Sequence, residues 1–202
     1  MMTFWYRVCW WICRIGLFFW HPVFHVVGRE LVPAGKAVLS VNHSGCADAI
    51  WLLLALDAPQ MCRIIAKKEL RSVPIVGWVM EKFRIIFVDR TAHDGTAYHE
   101  GVKALENDEK MMVFVEGTRC NKNKHVRAKT GAVRMAVEAD APLVPVFITR
   151  NKTPWCPVNV IFGQPYEMPK RDGWTHDEYQ HEADELLRRI YRLGGDSYAD
   201  HI

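Results

Sequence analysis

A change of hydrophobic pattern between residues 37 and 56 limits this chain more than any other feature. Ala37-Val38-Leu39-Ser40-Val41 is a short apolar run of the kind that forms a buried strand, and Ala49-Ile50-Trp51-Leu52-Leu53-Leu54-Ala55-Leu56 reads as a buried helix. Asn42-His43-Ser44-Gly45-Cys46-Ala47-Asp48 lies between them, so a strand-to-helix turn is predicted. On one continuous helix His43 and Asp48 would stand about 140° apart. They face each other only if the helix starts between them, and Ser44, Gly45 and Asp48 all suit a helix entrance. A carboxylate beside an imidazole fixes one tautomer and stabilises the protonated ring, as a base working on an alcohol requires. The same residues also read as a capping aspartate and a hydrogen-bonded turn histidine, so the segment alone leaves both readings open.

Three later stretches, Phe87-Val88-Asp89-Arg90, Phe114-Val115-Glu116-Gly117-Thr118-Arg119 and Val144-Pro145-Val146, each close a run of β-branched and aromatic residues. With these in order, the chain resembles the glycerolipid acyltransferase family, typified by bacterial 1-acyl-sn-glycerol-3-phosphate acyltransferases, over about residues 25 to 165. Asn42-His43 through Asp48 matches the family's N-H-x-x-x-x-D motif, and Glu116-Gly117-Thr118-Arg119 matches the core of F-P-E-G-T-R. The resemblance implies that His43 and Asp48 are catalytic. It implies that Lys67, Arg90, Glu116, Gly117, Thr118 and Arg119 bind the substrate phosphate, and that Val144 and Pro145 help form the thioester pocket. Lys67 enters through Ala66-Lys67-Lys68-Glu69-Leu70, which is similar to the family's A-K-x-E-L element. One departure is Val115 where the family has proline, from which a looser turn beneath Glu116 and Arg119 is expected.

The residue types suit those roles, since a guanidinium engages two phosphate oxygens at once and Gly117 lets backbone approach a ligand closely. Thr118 adds a hydroxyl. Taken singly, the lysines at 67 and 68 read as solvated, Asp89 as a partner for Arg90, and Glu116 with Arg119 as an ordinary ion pair.

At 202 residues the chain is of single-domain size, and with half its residues hydrophobic and 24% charged it is not a disordered sequence. The formal charge of +3 is unevenly spread: residues 1–165 hold 21 Lys and Arg against 14 Asp and Glu, and residues 166–202 hold 5 against 9. A basic body suits anionic partners. The five basic residues from Arg119 to Lys129, with no acid among them, read either as a solvated loop or as an attractor of anionic lipid or an acidic acyl carrier. Cysteines at 9, 13, 46, 62, 120 and 156 form no C-x-x-C pair and no cluster with histidine, so they read as reduced thiols of a cytosolic setting and no metal is expected.

Residues 1–27 form the N-terminal segment, rich in Trp and Phe, and residues 28–202 the acyltransferase domain. In the first, Arg7 and Arg14 are seven apart and share one helical face, the pattern of a helix lying in a bilayer interface. Its longest uncharged run, Ile15 to Gly28, is fourteen residues and contains His21-Pro22, short for a span. A helix packed on the domain's own core and a single span are the other readings. Further strands are predicted at 63–67, 85–88, 111–115, 142–148 and 158–162. Helices are predicted within 73–83, over 97–110 and 132–139, and over His176 to Leu193 with Ala183, Leu186, Leu187, Ile190 and Tyr191 as its apolar stripe.

The fold expected is α/β: a mixed, largely parallel sheet flanked by helices, with a membrane-associating helical segment at the N-terminus. The activity expected is transfer of a fatty acyl group from acyl-CoA or acyl carrier protein to the free hydroxyl of lysophosphatidic acid, giving phosphatidic acid, with no cofactor. Another lysophospholipid or an amino-acid lipid as acceptor is one alternative, and a non-catalytic membrane-lipid binding protein another. Hydrolysis through Ser44 or Cys46 is disfavoured, since neither stands in a G-x-S-x-G elbow. An anionic phospholipid membrane at the cytoplasmic face of the cell membrane is the expected surface, with no nucleic acid partner.

Overall fold

Strand β2, Ala37–Val41, is buried at every residue because it runs through the middle of the sheet. A run without alternation is what a strand covered on both faces requires. The computed structural model describes residues 2–56, 62–74, 76–82, 85–89, 95–120, 126–150 and 152–195, excluding the side chains of residues 2, 3, 5, 6, 76, 79 and 82. Around β2 the seven strands lie in the order β1-β7-β6-β2-β5-β3-β4. They are β1 Phe24–Val27, β3 Cys62–Lys67, β4 Ile86–Val88, β5 Lys110–Phe114, β6 Leu143–Ile148 and β7 Val158–Phe162, with β2 among them. All neighbours pair in parallel except β6 and β7.

Helices cover both faces: α1 Met2–Trp20, α2 Asp48–Ala55, α3 Val76–Lys82, α4 Thr96–Glu106, α5 Gly131–Glu138 and α6 His176–Leu193. The pleat divides the core accordingly. On β6, Leu143 and Phe147 join α4, α5 and α6, while Val144, Val146 and Ile148 join α2 and Cys9 of α1. The stripe on α6 is the expected one, and a capping box between Thr175 and Glu178 starts the helix.

Two connections position the site. The chain leaves β2 through α2 to reach β3, and leaves β5 through α5 to reach β6, on opposite faces and in opposite directions. The connections that leave adjacent β2 and β5 therefore diverge beyond their carboxyl ends, the place where an open α/β sheet forms its crevice.

The fold is the expected mixed, largely parallel one, with differences at the edges. Phe24–Val27, expected to end the N-terminal segment, is a strand paired with β7 over Val158 to Ile161, so the sheet begins before residue 28. Helix α1 turns Cys9, Trp10, Cys13 and Leu17 onto the core and leaves Trp11, Ile12, Ile15, Phe18, Phe19 and Trp20 exposed. Among the described residues no helix is long and apolar enough to cross a membrane.

Candidate active site

His43 follows the end of β2, and Asp48 is the first residue of α2, so the turn brings the two together as the spacing required. The ring nitrogen Nδ1 lies 2.9 Å from Asp48 Oδ2. A carboxylate only accepts, so Nδ1 carries the hydrogen and Nε2 is left as the base. The imidazole stacks on Phe114 of β5, with ring centroids 3.9 Å apart and planes 18° from parallel, which fixes its tilt.

Asp48 is fully buried. Its Oδ2 also accepts the backbone N–H groups of Ser44 and Gly45, both at 2.7 Å, and its Oδ1 lies 2.8 Å from Lys152 Nζ. Burial alone would raise the carboxyl's pKa; the hydrogen bond from His43, the Lys152 charge and the Gly45 N–H outweigh it, holding Asp48 below the ordinary aspartate value. The carboxylate is thus ionised at neutral pH with its orientation over-determined.

Glu116 behaves otherwise. Expected among the phosphate-binding residues, it is 1% exposed and both its oxygens are engaged inside the protein. Oε2 accepts the backbone N–H of His43 at 2.5 Å, and Oε1 accepts the hydroxyl of Tyr191 from α6 at 2.5 Å. With both oxygens engaged inside the protein, Glu116 is a strut between the two motif turns and α6. Burial raises its pKa, against the hydrogen bonds from Tyr191 and His43.

Further links lace the turns together. Cys120 N–H donates to His43 C=O at 2.6 Å, and Val115 N–H donates to Val41 C=O at 3.1 Å. Proline has no N–H, so valine at this position adds a bond rather than loosening the turn. Asn42, also fully buried, pairs with both backbone groups of Ile148: its Nδ2 donates to the C=O at 2.9 Å and its Oδ1 accepts the N–H at 2.7 Å. It works as an extra rung between β2 and β6.

The remaining expected residues distribute as follows. Gly117, at φ +64°, turns the chain after β5 in a conformation that favours glycine, and Thr118 and Arg119 beside it are exposed. Arg119 Nη1 lies 2.7 Å from Cys46 Sγ, which places this guanidinium on the His43 turn. Lys67 ends β3 opposite Val88 of β4 and is exposed, while Lys68 pairs with Asp89. Arg90 lies outside the described residues. Val144 and Pro145 stand beside Leu39 and Ser40 in the sheet and are buried.

Two functional positions carried no sequence signal as motifs. Lys152, beyond the end of β6, has no pattern around it. Tyr191 was legible only as part of an apolar stripe, although a buried phenol generally needs a hydrogen-bond partner.

The family model described as Acyltransferase matches residues 23–149, from β1 to just past β6. Among curated relatives, the chain is 31% identical over 145 residues to the 1-acyl-sn-glycerol-3-phosphate acyltransferase of Saccharomyces cerevisiae, covering 69% of this chain and 47% of that protein. It is 33% identical over 121 residues to the enzyme of the same name from Bacillus subtilis, covering 59% of each. The chain spans about half the length of the curated relatives it matches. Among solved structures, the 1-acyl-sn-glycerophosphate acyltransferase of Thermotoga maritima superposes with a TM-score of 0.66 at 24% identity, over 85% of this chain and 72% of that one, a likeness of fold.

Proposed function

We propose, because the chain belongs to the acyltransferase family, that it transfers a fatty acyl group from a thioester to the free hydroxyl of 1-acyl-glycerol-3-phosphate, forming phosphatidic acid. The observation that carries this reading is the His43–Asp48 pair at the β2–β5 crevice, with the exposed Thr118-Arg119 turn reaching back to it. Relatives named for this activity supply the acceptor.

In the reaction Nε2 of His43 takes the proton of the lysolipid hydroxyl. The alkoxide attacks the thioester carbonyl, the C–S bond breaks, and the departing thiolate receives the proton from the imidazolium. Asp48 stabilises that imidazolium. No acyl-enzyme is formed. Lys67, Arg119, Thr118 and the Gly117 backbone hold the phosphate, with Arg90 as the resemblance implies, so binding energy from the headgroup orients the hydroxyl toward His43. The donor is acyl-CoA or acyl carrier protein. The exposed aromatic side of α1 rests on an anionic membrane at its cytoplasmic face, where lysolipid is dissolved.

The test follows thiol release and phosphatidic acid together, with lysophosphatidic acid and acyl-CoA, or acyl carrier protein in a parallel reaction. Both products should appear in step and vanish with His43→Ala. Thiol release without lipid product, or turnover unchanged in the variant, would overturn the reading.

A further inference from the structure

We propose that Lys152 is a positioning residue of this site, a clamp that locks Asp48 and the Ser44–Gly45 turn in the geometry the His43 base requires. The inference rests on the acyl-transfer reading. Lys152 Nζ lies 2.8 Å from Asp48 Oδ1, and donates to Ser44 Oγ at 2.7 Å and to Thr149 C=O at 2.5 Å. Two of the ammonium's hydrogens are thus bonded within the protein, to Ser44 and Thr149, and its charge is paired with the buried Asp48 carboxylate. The side chain is 10% exposed, so in this arrangement Lys152 lacks the access to hold a substrate phosphate.

The site is also built to receive it. A Cβ on Gly45 would lie 3.3 Å from Lys152 Cε and 3.5 Å from Asp48 Oδ1, so the lysine packs closely over this turn on its way to the carboxylate. Electrostatics give the reason for a cation there. While His43 is neutral and waiting for substrate, a fully buried carboxylate would have only neutral donors around it, a costly state. Lys152 supplies the counter-charge from the β6–β7 connection, and Thr149 ties it to the end of β6. The charged or titratable groups facing Asp48 are His43 from the end of β2 and Lys152; the Ser44 and Gly45 contributions are backbone. Glu116 engages the other side of His43, through its main chain.

The decisive comparison is the full chain carrying Lys152→Met or Lys152→Arg beside the unaltered protein. Loss of a hydrogen-bonded charge should lower kcat about 10- to 100-fold in Lys152→Met. The KM for lysophosphatidic acid should stay unchanged, and the acid limb of the kcat profile should move to higher pH as Asp48 loses its counter-charge. Lys152→Arg should return the acid limb toward its original position. Acid unfolding followed by tryptophan fluorescence needs no turnover: Lys152→Met should unfold at higher pH than the unaltered protein, and that difference should disappear in an Asp48→Asn background. A raised KM with kcat unchanged would make Lys152 a substrate ligand and overturn the clamp, as would coincident acid-unfolding curves. If the unaltered protein transfers no acyl group, the functional reading fails by itself, and the unfolding curves still decide whether Lys152 and Asp48 are coupled.

Discussion

Two buried carboxylates flank His43, and their surroundings drive them in opposite directions. Asp48 is held below its ordinary pKa, so its stabilisation is complete above the unfolded aspartate value and is lost as pH falls through the lower folded one. Asp48→Asn keeps the shape and removes the charge. By analogy with the aspartate of a catalytic triad, kcat should fall about 10³- to 10⁴-fold. Isothermal titration should find lysophosphatidic acid binding unchanged, since the carboxylate holds the imidazole and not the lipid. Glu116 has the opposite sign. Its folded pKa is raised, so the folded protein takes up this proton first as pH drops from neutral, and the cost of the buried charge fades toward the ordinary glutamate range. A glutamine at 116 can still accept from His43 N–H and can donate to the Tyr191 oxygen. Glu116→Gln should therefore unfold in urea at a concentration equal to or above that of the unaltered protein at pH 7, the difference shrinking on acidification. Glu116→Ala leaves both partners buried without it, and should cost about 2–4 kcal/mol.

At the level of elements, the strand ends are coupled by side chains that imitate backbone. Asn42 replaces one rung of the β2–β6 ladder, and Asn42→Leu leaves the N–H and C=O of Ile148 buried and unpaired. Equilibrium unfolding should show a loss of about 2–4 kcal/mol, with a retained m-value marking a local defect. The same rung explains what sequence could and could not disclose. Helix α6 was legible to the residue because an amphipathic stripe over five turns has one solution, and β2 because a strand buried on both faces is a continuous apolar run. Strand β1 was not, since its four residues sit at a sheet edge with alternating exposure and follow an apolar helix that absorbs their pattern. The His43–Asp48 pair was legible through its spacing. The inward role of Glu116 is not legible in its tetrapeptide motif, because the turn at Gly117 sends the first residue inward and the last two outward. Lys152 lies 108 residues beyond Ser44 and Tyr191 lies 75 beyond Glu116, and local pattern holds no information about such contacts.

The whole molecule is asymmetric in a way that bears on where it works. One side of α1 is used for folding: Cys9 is 1% exposed, and Trp10, Cys13 and Leu17 pack beside it. The other side leaves Trp11 60% and Phe19 68% exposed, and Trp155, 69% exposed, extends the patch by donating its N–H to the last carbonyl of α1 at Trp20. Arg7 and Arg14 lie seven residues apart along one flank between these sides. Water is a poor solvent for so many exposed rings, whereas a headgroup boundary accepts the rings and offers phosphates to the exposed Arg7; the Arg14 guanidinium lies over the Phe18 and Phe24 rings with Nη1 buried. The basic body, with 21 Lys and Arg against 14 Asp and Glu over residues 1–165, adds a long-range attraction that salt screens. Trp11→Asp with Phe19→Asp changes only the outer side, so the fold and turnover of detergent-dispersed substrate should persist. Flotation with vesicles containing anionic phospholipid should fall at least about tenfold, because burying each ring is worth on the order of 1.5–3 kcal/mol. Raising salt should weaken the unaltered protein's binding only in part, leaving the aromatic contribution. Flotation that is unchanged by the double substitution and abolished by salt would instead assign attachment to the basic body, with α1 serving the core alone.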